Sequence, residues 1–288
     1  MEATELLKKV RKIEIKTRGL TRQIFAGEYH SAFKGRGISF SEVREYQYGD
    51  DIRSIDWNVT ARFNHPYVKV FEEERELTVM LLVDVSGSGN FGTRGSYKRE
   101  QITEIAALLA FSAINNNDKI GVIFFSDRVE KFISPQKGRK HILRIIRELL
   151  NFDPESTKTS LGEPLRYLTN ALKKRCTAFV ISDFIAQDFE RSLQIASNKH
   201  DIVALRINDI MERKLPNIGL LYLNDPESGD SRWVDTSLKS VRQQFRDNWL
   251  IERERLNDIF TRCGVDNVTI FTGEDYVKPL INLFKKRS

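Results

Sequence analysis

From residue 77 onward the chain alternates short, nearly uninterrupted apolar runs with longer segments whose apolar positions recur at three- and four-residue spacing. That alternation is expected of a mostly parallel sheet buried between helices. The runs predict strands at 78–84, 119–125, 128–134, 176–182, 201–207 and 266–271. The amphipathic segments predict helices at 97–115, 138–151, 161–174, 187–198, 237–262 and 275–285. The strand at 128–134 follows its predecessor across the Ser126-Asp127 turn, too short for a parallel crossover, so it should be an antiparallel edge strand. Residues 219–235 read as a hairpin turning around Asp225-Pro226-Glu227-Ser228-Gly229-Asp230. The expected fold is a doubly wound α/β domain over 78–288.

The first 77 residues have a different texture. Leu6, Leu7, Val10, Ile13 and Ile15 lie at roughly helical spacing within 3–17, which predicts an amphipathic leading helix. From 18 to 77, Gly, Arg, Tyr and Phe dominate with little helical periodicity, so this stretch reads as short strands and ordered loops. An irregular, partly β extension over 1–77 is therefore expected to precede the α/β domain.

Composition narrows the class. The 288 residues are 40% hydrophobic and 30% charged, an ordinary globular balance with room for one large domain and an extension. The net charge of +6 comes from 46 basic residues intermixed with 40 acidic ones, so no nucleic-acid partner is expected. Cys176 and Cys263 cannot build a disulfide framework or a cysteine-rich metal site. The N-terminus mixes acids with bases, and runs such as 79–83 fall far short of the ~20 residues that span a bilayer, so a cytoplasmic protein without a leader or transmembrane segment is expected. His30, His65, His141 and His200 show no ligand spacing and read as surface or loop residues.

The chemistry concentrates after the first strand of the domain. Asp84 ends the run Thr78-Val-Met-Leu-Leu-Val, which places it at the carboxyl edge of the sheet, where open α/β folds bind ligands. In Asp84-Val85-Ser86-Gly87-Ser88, one carboxylate and two hydroxyls alternate, a donor set suited to a hard cation such as Mg²⁺. Thr159, in Lys-Thr-Ser-Leu-Gly-Glu-Pro, and Asp183, after Ala178-Phe-Val-Ile-Ser, should reach the same rim. In this order the residues resemble the metal-ion-dependent adhesion site of von Willebrand A domains. The resemblance implies a cation over Asp84, Ser86 and Ser88, with Thr159 contacting it directly or through water and Asp183 behind it. A partner's carboxylate would complete the coordination.

Other readings of the loop fit less well. Helix capping by Asp84 or the serines is weakened because the next helix begins near Tyr97, about ten residues later. Gly87-Ser-Gly89-Asn-Phe-Gly92 matches a dinucleotide fingerprint, but Asp84 would face the pyrophosphate, and the next strand ends near Asp127, about 40 residues on where ~20 are expected. An aspartyl-phosphate transferase would need an acid where Ser86 stands, and neither serine lies in a G-x-S-x-G elbow. A metal-assisted phosphoester hydrolase using the same site is the alternative function, although no general base is evident.

The extension carries a longer signature. Arg44, Tyr46, Gly49, Asp50, Asp51, Arg53, Ile55, Asp56, Trp57, Thr60, Ala61 and Arg62, within a stretch opened by Gly35-Arg-Gly37, resemble the DUF58 family pattern. Gly89 stands where these proteins often carry Met; no ligand is lost and the loop gains freedom. The resemblance implies a von Willebrand A-like or Rossmann-like sheet and no enzymatic activity. It also implies a role as adaptor or assembly factor for a client beside a MoxR-type AAA+ ATPase, with any membrane association running through partners. The cofactor expected from the Asp84-Ser86-Ser88 set and its adhesion-site resemblance is Mg²⁺, with Mn²⁺ or Ca²⁺ as substitutes. Arg44, Arg53 and Arg62 among Asp50, Asp51 and Asp56 suggest ion pairs that pin the segment to the domain. The competing reading makes the segment a partner-docking surface anchored by Trp57, Tyr46 and Tyr48.

Overall fold

The computed structural model describes residues 38–73, 77–90, 98–224 and 229–287. The expected leading helix at 3–17 and the Gly35-Arg-Gly37 opening lie outside them. The described residues fall into two compact units that meet in sequence between Leu77 and Thr78.

In the first unit, β1 (Ile38–Glu45) pairs antiparallel with β2 (Tyr67–Glu73), with a bulge between Phe40 and Glu42. Between them stands α1 (Trp57–Phe63), a helix the sequence pattern did not predict. Asp56 starts it by accepting hydrogen bonds from the Asn58 and Val59 amides, and Asn64, at φ 55, ends it. None of its residues is buried, so it carries no apolar stripe.

The second unit contains β3 (Thr78–Asp84), α2 (Lys98–Asn115), β4 (Lys119–Phe125), β5 (Val129–Gln136), α3 (Arg139–Asn151) and α4 (Gly162–Ala171). It continues through β6 (Thr177–Ser182), α5 (Glu190–Lys199), β7 (Asp201–Asn208) and α6 (Ile210–Arg213). The hairpin β8 (Leu220–Asn224) and β9 (Ser231–Asp235) follows, then α7 (Lys239–Arg262), β10 (Asp266–Phe271) and α8 (Val277–Arg287).

The six-stranded sheet has the order β10-β7-β6-β3-β4-β5, and every neighbouring pair is parallel except β4 with β5. This is the doubly wound α/β arrangement, with the antiparallel strand at the edge as expected. The strand order reverses between β3 and β6, so the switch point, where such sheets open a crevice, lies at the carboxyl end of β3.

Burial explains which runs became strands. All six residues of β6 are buried, as are Val79 through Asp84 of β3, because helices cover both faces. One face packs Met80, Leu82, Ala178, Val180 and Ala204 against Leu165 of α4, Leu193 of α5 and Leu256 and Phe260 of α7. On the other face α2 is buried around most of its circumference from Lys98 to Ala113, and Phe179 meets Phe284 of α8 edge to face. The α5 helix begins at Glu190 rather than 187 because Asp188 takes φ 56, a left-handed conformation that a helix cannot continue through. His141 and His200, expected on the surface, are both buried; His141 Nε2 lies 2.9 Å from the Ile120 carbonyl oxygen.

Candidate functional site

At the carboxyl end of β3 the Asp84 carboxylate is held on both oxygens. Oδ1 accepts the Ser86 amide at 3.0 Å and Oδ2 accepts the Ser182 hydroxyl at 2.6 Å. The first bond turns the chain out of the strand, and Gly87–Asn90 continues as a 3-10 turn. That turn brings the Ser86 and Ser88 hydroxyl oxygens to 3.2 Å from each other.

Backbone bonds fasten the surrounding loops. The Val85 amide donates to Phe125 O, the Gly87 amide to Thr157 O and the Ser160 amide to Ser126 O, each at 2.9 Å. The segment carrying Thr159 is thereby tied on one side to the Asp84 loop and on the other to the end of β4.

Asp183 follows β6 in a tight turn. Its Oδ1 accepts the Ile185 amide at 3.1 Å, and the Ser182 hydroxyl oxygen accepts the Phe184 amide at 3.0 Å. Phe184 takes φ 62, uncommon for a bulky residue, and is held there by burial against Phe189 and Phe260. Core packing thus sets the direction of Asp183.

The electrostatics are those of a crowded acidic site. Burial, followed by the charge of Asp183, pushes the Asp84 carboxyl up to about 7 against the opposing hydrogen bonds from Ser182 and Ser86. Lys98, only 1% exposed, places its Nζ 3.0 Å from Asp183 Oδ2 and also pairs with Glu212. Burial alone would lower the ammonium's pKa, but Asp183 and Glu212 together raise it. Glu212 is fixed by the capping box of α6, where its Oε2 accepts the Asp209 amide at 2.8 Å.

Lys98, Ser182 and Glu212 escaped the sequence reading. Ser182 could have been noticed as the hydroxyl directly before Asp183. Nothing in Lys98-Arg-Glu marks its first residue as buried, since its partners come from β6 and α6.

The donor set fits a hard divalent cation. Among the described residues no three carboxylates, imidazoles or thiols converge, so a cation would rest on Asp84 and the Ser86 and Ser88 hydroxyls. Asp183, engaged by Lys98, would reach it through water. Mg²⁺ accepts such oxygen sites, with few charged ligands and several retained waters.

In the first unit Arg44 grips Asp50 with two bonds of 2.8 and 2.7 Å, and the guanidinium holds the Asp50 carboxyl below its usual value. The other expected pairs take different forms. Asp51 caps the turn Ile52–Ser54 through the Arg53 amide, and Asp56 pairs with Lys69 at 3.5 Å. Arg53 and Arg62 are exposed, and the acids spend their oxygens on backbone amides that the sequence pattern could not assign. Trp57 is 68% exposed and Tyr46 is partly buried.

The family model described as a protein of unknown function, DUF58, matches residues 42–255. An uncharacterized protein of Mycobacterium tuberculosis (strain H37Rv) is 26% identical over 281 residues, covering 96% of this chain and 88% of that protein. Among solved structures, the conserved hypothetical protein BatB from Bacteroides thetaiotaomicron aligns with a TM-score of 0.48 at 14% identity, covering 73% of this chain and 98% of that one. The SpRpn10 VWA domain aligns with a TM-score of 0.39 at 13% identity, over 72% of this chain and 94% of that one.

Proposed function

This chain belongs to the DUF58 family, and from that premise we propose that its α/β unit is a cation-dependent protein-interaction module that acts without catalysis. The observation that carries the reading is the loop at the switch point. There Asp84 is buried with both oxygens held, and the Ser86 and Ser88 hydroxyls lie 3.2 Å apart. Mg²⁺, with Mn²⁺ or Ca²⁺ in its place, is held by Asp84, Ser86 and Ser88, supported by Thr159 and Asp183. The ion supplies an electrophilic centre for an acidic side chain of a partner protein. The partner is a MoxR-type AAA+ ATPase of the cytoplasm, and the chain acts as adaptor between it and a client. No helix among the described residues is long and apolar enough to cross a membrane.

A hydrolase reading needs a general base beside the cation. Asp183, the carboxylate whose charge acts on Asp84, is occupied on both oxygens by the Ile185 amide and Lys98, which favours the non-catalytic reading. The test is co-purification of the chain with its MoxR-type ATPase, with and without EDTA. Capture should require the divalent cation and should be lost in Asp84→Ala; equal capture in EDTA would refute the cation dependence.

A further inference from the structure

A second feature lies in the same row of the sheet. Asp84 follows Val83, which pairs with Ile181; Ser182 comes next on β6 and pairs with Arg206 on β7. Asp84, Ser182 and Arg206 therefore stand side by side on one face of three adjacent strands, each step about 4.8 Å. Ser182 spends its hydroxyl proton on Asp84. Arg206 has nothing comparable: it is 3% exposed, and its Nε and Nη1 are buried without a hydrogen-bond partner.

A guanidinium buried with open donors is costly unless an acceptor compensates it. The carboxylates around it are committed elsewhere. Asp183 is engaged by Lys98, and Glu252 of α7 is gripped by Arg255 through bonds of 3.1, 3.0 and 2.6 Å. A second cation, Arg253, also acts on Arg206. It is exposed on α7 with its guanidinium 5.5 Å from the Trp249 ring centre, and Arg213 approaches the same ring at 5.7 Å. Asp183 and Glu252 thus act on Arg206 by charge alone, and no acceptor meets its Nε or Nη1. Planar guanidinium groups with free N–H donors suit carboxylate and phosphoryl oxygens.

We propose that Arg206, assisted by Arg253, forms an oxyanion-binding subsite at the carboxyl end of β7, two strands from Asp84, that takes a carboxylate or phosphoryl group of a ligand. The subsite does not depend on a cation at Asp84. Together with the cation of the proposed function, it is spaced to read two acidic groups on one partner.

The experiment titrates the full chain, in EDTA and at constant ionic strength, with inorganic phosphate and separately with sodium acetate, following the Arg206 Nε–H signal by ¹⁵N NMR. A saturable shift with either anion is expected, and the anion that saturates assigns phosphoryl or carboxylate chemistry. Arg253→Ala should weaken the response at least about tenfold, the loss of one charge-assisted contact. Arg206→Met removes a buried unpaired charge and is expected to fold; it should lose the rise in Tm that the anion gives the wild type. No saturable shift with either anion would overturn the subsite, as would a Tm rise retained in Arg206→Met. Because EDTA is present throughout, failure of the cation reading leaves this outcome unaffected.

Discussion

Lys98 holds three parts of the rim together: the start of α2, the turn after β6 through Asp183, and α6 through Glu212. Replacing it with Met would leave Asp183 buried beside Asp84 without its ion-pair partner. Breaking a buried pair in this way costs about 3–5 kcal/mol. A large fall in Tm is therefore expected for Lys98→Met, and an unchanged melt would show that the ammonium is dispensable. The burial of His200 has a different consequence. Its Nδ1 lies 3.4 Å from the Cys176 amide, which donates to it, and burial, aided by Lys199 and Arg175, lowers its pKa to about 4. The unfolded state therefore takes up a proton near pH 6.5 that the folded state refuses until about pH 4. This residue's contribution is fully present above pH 6.5 and is lost as pH falls toward 4, with a slope on the order of 1 kcal/mol per pH unit. Denaturant unfolding from pH 7 to 4 should show that extra slope in the wild type and not in His200→Gln. At this scale legibility followed sequence distance: Asp84, Ser86 and Ser88 sit within five consecutive residues, whereas Lys98 acquires its role from an acid 85 positions away.

At the scale of elements, the pattern read best where burial was complete. The run 78–84 became β3 and 176–182 became β6 because a strand covered on both faces leaves a continuous apolar record. The helix at Trp57–Phe63 left none: seven residues make two turns, none is buried, and the element rests on the cap from Asp56. Gly121 inside β4 is a finer case. A Cβ there would lie 2.7 Å from the Ile133 carbonyl oxygen and 2.9 Å from the Pro135 nitrogen, both backbone atoms of β5. The β4–β5 register shifts between Ile120 and Val122, so the glycine lets the edge strand approach at that irregularity. Gly121→Ala should destabilise the fold by about 1–3 kcal/mol, the usual range for overpacking. A chemical denaturation midpoint matching the wild type would contradict the close approach.

For the whole molecule, the α/β class, the strand at the antiparallel edge and the hairpin before α7 were all readable from the alternation of runs and turns. The strand order was not, because it is set by which helices cover which face. That order places β3 next to β6, and hence Asp84 next to Ser182 and Asp183, which lie far from it in the chain. The central claim is that this junction holds a divalent cation. Asp84→Ala isolates it, since removing one of two facing buried carboxylates relieves repulsion and should leave the fold standing. The most direct measurement is a calorimetric titration of Mn²⁺ into the wild-type chain and into Asp84→Ala at the same pH. One saturable site in the wild type, absent or at least about tenfold weaker in the variant, is the predicted result. No saturable binding to the wild type, or equal binding to both, would contradict it.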